Sequence, residues 1–137
     1  MTSSRNKNYL YPGLWRAVGF VMLGIAVAAF LVPVPSSIPV FSFEDKVAHF
    51  LIYSVLTCWF LQIYPRQGRI LFSLVLMGIL IEGLQSMTSY RSAEITDVLA
   101  NMFGVSGGWL LARSPLGQLA AILDGRLALI MAKRRAQ

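Results

Sequence analysis

A few polar residues of an otherwise apolar chain repeat at helical spacing, and their types could do acid–base or anion-binding chemistry. Asp45, His49 and Tyr53 stand four apart, Glu82 and Gln85 three apart, and Asp97, Asn101, Gly104 and Gly108 at four, three and four. Residues three and four apart share one face of a helix, so each set forms a stripe. A histidine beside a carboxylate can move a proton to or from a reacting group, which makes His49, Glu82 and Asp97 the candidate acid–base residues. Lys46 and Arg91 could donate to phosphate oxygens, the guanidinium in two-pronged fashion. Asp45, Tyr53, Gln85 and Asn101 complete the stripes and join Lys46 and Arg91 as candidate ligand-binding residues.

Other chemistries find less support. His49 with Asp45, Glu82 and Asp97 could ligate a divalent metal, but no two of them form a recognised pair such as H-x-x-x-H, so neither metal nor other cofactor is expected. Ser86, Ser89 and Ser92 lie near His49 in depth, yet none sits in a G-x-S-x-G elbow, and no glycine-rich phosphate loop is present. Cys58 is the only cysteine; it has no obvious activating base and no partner for an intrachain disulfide. No reaction is named by a motif, and whether the chain is an enzyme stays open.

The elements that position these residues are membrane spans. The chain of 137 residues is 56% hydrophobic and 13% charged, with mean hydropathy +0.63, too apolar for a soluble surface. Crossing the hydrocarbon core takes about 20 apolar residues. Four runs meet that need, at about 14–34, 46–64, 70–88 and 95–112. A cleaved signal peptide is the alternative for the first, with Arg5 and Lys7 at its start and Ala26-Val27-Ala28 as the cleavage site, but the apolar run continues through Phe30, Leu31 and Val32. Pro33, Pro35 and Pro39 make the following stretch a connector. The remaining links are short, so the helices are expected to be antiparallel neighbours in one four-helix bundle over residues 1–113. Gly104 and Gly108 read as a close helix contact.

Residues 114–137 form a basic tail. Ser114-Pro115 reads as a helix start. Leu116, Leu119, Leu123, Leu127, Ile130 and Met131 then recur at helical spacing, while Gln118, Asp124, Arg126 and Lys133 fall largely off that stripe. This suits a helix lying on the membrane surface, with packing on the bundle's inner end as the alternative; Asp124, Gly125 and Arg126 disfavour a fifth span.

Orientation follows from the bases. With the N-terminus inside, Arg5, Lys7, Arg16, Arg66, Arg69, Arg113, Arg126, Lys133, Arg134 and Arg135 are cytoplasmic, against Lys46 and Arg91 outside, which satisfies the positive-inside rule. Every polar stripe then lies in the outer half of the bundle. Glu82 falls about 9 Å inward from Thr88, where an ionised carboxylate costs a few kcal/mol unless paired or hydrated. Its expected partner is a base, Arg91, Lys46 or His49, with Arg91 favoured for Glu82 or Asp97. The net charge of +6 comes from bases scattered at helix ends and in the tail, without the clustered basic face that nucleic acid requires.

The residues that carry these stripes resemble a known family. Asp45-Lys46-Val47-Ala48-His49-Phe50 with Tyr53, then Ile81-Glu82-Gly83-Leu84-Gln85, then Arg91, then Asp97-Val98-Leu99-Ala100-Asn101-Met102-Phe103-Gly104, are similar in order and separation to the VanZ-like family of bacterial membrane proteins. The resemblance covers about residues 41–112. It implies a multi-pass protein of the bacterial cytoplasmic membrane and a link to glycopeptide-antibiotic tolerance, without a settled activity. By position it carries the family's polar set to Asp45, Lys46, His49, Glu82, Gln85, Arg91, Asp97 and Asn101. Glu94 stands where an aspartate is common, and Thr88-Ser89-Tyr90 where proline or glycine is common.

The leading functional expectation is an outer-facing cleft that binds, and could modify, an isoprenoid-phosphate or phospholipid headgroup. The alternative is a non-catalytic scaffold or accessory subunit whose polar network only holds the helices together. Transport or proton relay is a third reading, but no comparable stripe continues into the inner half beyond Tyr53 and Thr57.

Overall fold

The computed structural model describes residues 8–32, 42–88 and 94–137, the side chains of 42 and 43 excepted, and every regular element among them is helical. α1 spans Pro12–Leu31, α2 Ser42–Ile63, α3 Gln67–Ser86 and α4 Ile95–Leu111; a 3-10 turn over Pro115–Gln118 leads into α5, Leu119–Arg135. Arg5, Lys7, the proline-rich connector over 33–41, and the loop over 89–93 with Ser89, Arg91 and Ser92 lie outside the described residues.

Local chemistry sets the helix ends. Pro12 opens α1, where its missing N–H would be unpaired anyway. Val32, which precedes Pro33, is extended at ψ 133°, and Tyr64, which precedes Pro65, has left the helix; proline crowds the residue before it out of the helical region. Glu44 and Asp45 occupy the first turn of α2 and Asp97 that of α4, where the helix dipole favours negative charge. Helices cover the four expected runs with shifted starts: α2 begins at Ser42 rather than Lys46, and α3 at Gln67 rather than Ile70.

Pro12–Leu31, Glu44–Ile63 and Gln67–Ser86 are each long and apolar enough to cross a membrane. α4, at 17 residues, is about 25 Å long. Outward-facing apolar side chains are bare on all four, among them Phe20, Phe72, Ile79, Phe103 and Leu110. A protein dissolved in water does not carry so continuous an apolar surface. This is an all-α membrane protein, a four-helix bundle with a C-terminal helix.

Chain neighbours run antiparallel, as the short links require, but the most extensive packing joins α2 to α4, which run parallel and are not consecutive. The two glycines explain it. A Cβ on Gly104 would stand 2.6 Å from the Phe50 carbonyl oxygen and 2.8 Å from Tyr53 Cβ, and one on Gly108 would overlap the Ser54 carbonyl oxygen. The backbones therefore approach to the limit that glycine allows, and Ser54 Oγ donates to the Gly104 carbonyl at 3.1 Å. α1 and α3 close the bundle on the other side of α2, burying Phe30, Tyr53, Leu56, Phe60, Leu74, Ile81 and Val105 in one core.

The run Pro115–Arg135 is also long and apolar enough to cross a membrane, but its contacts lay it across one end of the bundle. Gly117 packs on the Ala112 carbonyl at the end of α4. Ala120 N donates to Gln62 Oε1 at the end of α2, 3.0 Å. Asp124 accepts from Leu10 N at 2.6 Å, Tyr11 N at 3.0 Å and Trp15 Nε1 at 2.7 Å, all at the start of α1. A helix inserted beside the bundle would by Asp124 have climbed roughly 13 Å; this one is still level with the helix ends. Ser114 Oγ accepts from Leu116 N at 3.2 Å, as a cap should, but the first turn is 3-10. Leu116, Leu119, Leu123 and Ile130 are exposed, while Ala120 and Asp124 face the bundle. So α5 packs on the bundle's end through Ala120 and Asp124, and its leucine stripe faces away from that contact. Asp124 does fall off the stripe as expected, yet it is buried rather than wetted.

Candidate functional site

The distal end of the bundle, opposite α5, is where α2 and α4 begin and α1 and α3 end. The four-residue spacing on α2 turns His49 and Tyr53 inward, and both are fully buried. Phe30, at the end of α1, stacks on His49 with ring centroids 4.2 Å apart and on Tyr53 at 6.0 Å. The close approach at Gly104 and Gly108 brings the first turns of α4 alongside, so Asp97 and Asn101 are buried against the same stripe. α3 makes room with Gly78, where a Cβ would lie 3.0 Å from Asn101 Nδ2 and 3.2 Å from Tyr53 Oη.

His49 is held by one bond. Its Nδ1 lies 2.9 Å from Asn101 Oδ1; an amide oxygen only accepts, so Nδ1 carries the proton and donates. Nε2 faces the carboxylates. It is 3.9 Å from Asp45 Oδ2, beyond hydrogen-bond reach. One ligand atom each from Asp45, His49 and Asp97 lie within 4.8 Å of one another, the arrangement of a candidate metal-binding trio. Asp45 is the partly open member, its side chain 23% exposed.

Lys46 sits at the rim, its Nζ 2.7 Å from Glu94 Oε2 and 3.4 Å from Asp97 Oδ1. The hydrogen bond from Lys46, with a second from the Thr96 hydroxyl, holds the Glu94 carboxyl below the usual carboxylate range. Glu82 is buried and accepts from the Glu94 backbone N–H at 2.8 Å, which seats its carboxylate at the N-terminus of α4, where the dipole favours it. A backbone amide therefore shares the role expected of a base; Arg91 itself lies outside the described residues. Gln85 serves a different contact, donating to the Phe30 carbonyl at 2.7 Å.

The structure thus gathers Asp45, Lys46, His49, Asp97 and Asn101 around one point, sets Glu82 beside the start of α4, puts Tyr53 one turn deeper and turns Gln85 to α1. Glu94, Phe30 and Gly78 are participants that the sequence did not single out. Glu94 was findable, three residues before Asp97 and so on its stripe; an apolar ring and a glycine carry no polar signal.

Two further features decide what the arrangement can do. His49 Nε2, Tyr53 Oη, Thr57 Oγ1 and Asn101 Nδ2 are buried without a hydrogen bond. Beside Lys46 a groove of about 610 Å³ runs down the outside of α2 and α4, lined by Val47, Phe50, Phe103, Gly107 and Leu110.

The model of the VanZ/LLP1 family matches residues 20–120. The chain is similar to an uncharacterized protein of Schizosaccharomyces pombe, 27% identical over 110 residues, which cover 76% of this chain and 67% of the yeast protein. No solved structure matches.

Proposed function

The chain belongs to the VanZ/LLP1 family, and from that premise we propose that its distal polar cluster receives the headgroup of an anionic membrane lipid or glycan carrier. In this reading the protein sits in a cytoplasmic membrane with both termini inside, the distal end faces outward, and the lipid's chain lies in the groove beside α2 and α4. His49, with Asp97 or Glu82, is the acid–base pair if the headgroup is processed. A link to glycopeptide-antibiotic tolerance follows if the carrier is that of a cell-wall precursor.

The observation that carries this reading is the set of buried polar atoms without hydrogen bonds, which Lys46, in contact with Asp97, links to the groove it lines outside α2 and α4. A network kept only to hold helices together gains nothing from them, because a half-satisfied buried network is worse than an apolar core. A ligand that enters part of the time accounts for them. Lys46 at the rim supplies a cation where headgroup and groove would meet.

Native mass spectrometry of the detergent-released protein tests it. Wild type is expected to retain a phosphate-bearing lipid, and Ser106→Trp, which fills the groove from an exposed position, is expected to lose it without losing thermal stability. Arg91→Ala should weaken retention as well. Wild type that carries only bulk zwitterionic lipid, in the same amount as folded Ser106→Trp, would turn the assignment toward the scaffold reading.

A further inference from the structure

We infer that Asp45, His49 and Asp97 form a binding site for a divalent first-row transition ion, although no two of them stand at a recognised ligand spacing. Three observations converge on it. The three side chains come from two helices, α2 and α4, whose glycine-mediated approach puts a ligand atom of each within 4.8 Å of the others. Asn101 takes the Nδ1 proton of His49 at 2.9 Å, so the Nε2 lone pair points into the cluster; a partner on the far nitrogen is the device by which metal-binding histidines are oriented. That Nε2 is fully buried and without a hydrogen bond, as is Asp97 Oδ1, whose contact with Lys46 is a 3.4 Å ion pair.

A lone pair facing carboxylate oxygens needs a positive centre between them. A proton on Nε2 would fill the role only with an acceptor in hydrogen-bond reach, and Asp45 Oδ2 stands at 3.9 Å. An ion bound at about 2.0–2.2 Å from each donor bridges such a separation. One imidazole with two carboxylates suits the range from Mn²⁺ to Zn²⁺ better than Ca²⁺, which takes oxygen ligands only. Three protein donors leave positions open for water or an anionic oxygen, so the ion could also attract a phosphate-bearing headgroup; its presence does not depend on one.

The test uses untagged, chelator-stripped protein in lipid-free detergent and the metal alone. Mn²⁺ is titrated by the loss of its free-ion EPR signal, then displaced with Zn²⁺. Wild type is expected to bind one ion per chain and to melt at a higher temperature with it. Asp45→Asn keeps shape at a partly exposed position and His49→Gln keeps a polar side chain; both are expected to weaken binding by more than 100-fold. Asn101→Leu, which removes only the orienting acceptor, should weaken it by about 10- to 100-fold. Equal Mn²⁺ binding by wild type and folded Asp45→Asn, or none by wild type, overturns the inference. Lipid retention in EDTA by a protein that binds no Mn²⁺ would overturn it and leave the lipid reading intact; stoichiometric Mn²⁺ without any lipid would do the reverse.

Discussion

Removing the hydroxyl of Tyr53 should make this protein more stable. The residue is fully buried, its ring stacks on Phe30 at 6.0 Å, and its Oη has no hydrogen bond. Tyr53→Phe keeps the ring, its stacking and nearly all of its volume, and deletes only the orphaned group. Burying a hydroxyl without a partner costs about 1–3 kcal/mol in proteins. In a membrane the unfolded chain also finds partners for its polar groups, which brings such terms nearer to about 0.6 kcal/mol. The expected gain is therefore about 0.5–1.5 kcal/mol. Thr57 stands one turn further along α2, also fully buried and without a hydrogen bond at Oγ1, so Thr57→Val should give a gain of the same sign.

Both are measured as changes in unfolding free energy in mixed micelles with rising SDS, on ligand-free protein. The scaffold reading predicts the opposite sign. If these hydroxyls help to hold the helices together, each substitution costs about 1 kcal/mol. A loss of that size in either variant, with the other helices unperturbed, would refute the claim that these groups are kept for something other than stability.

Asp124→Asn should destabilise by about 2–4 kcal/mol, because three donors from α1 lose a charged acceptor; denaturant titration checks it. Burial alone would raise the Asp124 carboxyl, but the bonds from Leu10 N, Trp15 Nε1 and Tyr11 N outweigh it and hold the carboxyl below its usual range. Its contribution is therefore fully present above the unfolded value of about 3.9 and lost as pH falls through the lower folded value, a dependence that Asp124→Asn should abolish. Gly108→Ala should cost about 1–3 kcal/mol by forcing α2 and α4 apart, since its Cβ would overlap the Ser54 carbonyl oxygen and lie 2.6 Å from Thr57 Cβ. Gly24→Ala, where a Cβ meets nothing within 4 Å, should instead gain up to about 1 kcal/mol from helix propensity.

The bundle was legible because four apolar runs and two short links leave few other arrangements. Helix ends were less so: hydropathy marks where the chain leaves lipid, whereas Ser42 to Asp45 continue α2 into a polar turn stabilised by the acids at its start. Gly104 and Gly108 announced a tight contact but not its partner, and the answer, a parallel pairing with α2, depends on three-dimensional packing. The stripes of α2 and α4 were legible as residue types and faces, since i and i+4 positions there are what the fold turns inward, but Glu94 as the partner of Lys46 and the turn of Gln85 toward α1 were not. The burial of Asp124 was not. Its partners Leu10 and Tyr11 lie more than a hundred positions away in the chain, and nothing local distinguishes it from a wetted aspartate beside Gly125 and Arg126.

The two ends of the bundle bury polar groups to opposite effect. At the end covered by α5, Asp124 accepts through both oxygens, Gln62 accepts from Ala120 N and donates to the Cys58 carbonyl, and Trp59 Nε1 donates to the Trp15 carbonyl. Those groups are satisfied, by partners from distant parts of the chain in every case but the Cys58 carbonyl, and the result is a clasp that fixes α5 to α1 and α2. At the distal end the chain spends comparable burial on His49, Tyr53, Thr57 and Asn101 and leaves an atom of each unbonded. One sequence folding in one solvent shows at its covered end that it can complete a buried network. The incomplete network is thus not a limit of what this fold can satisfy, which is the physical ground for proposing a cation among Asp45, His49 and Asp97, and an anionic headgroup at the same end.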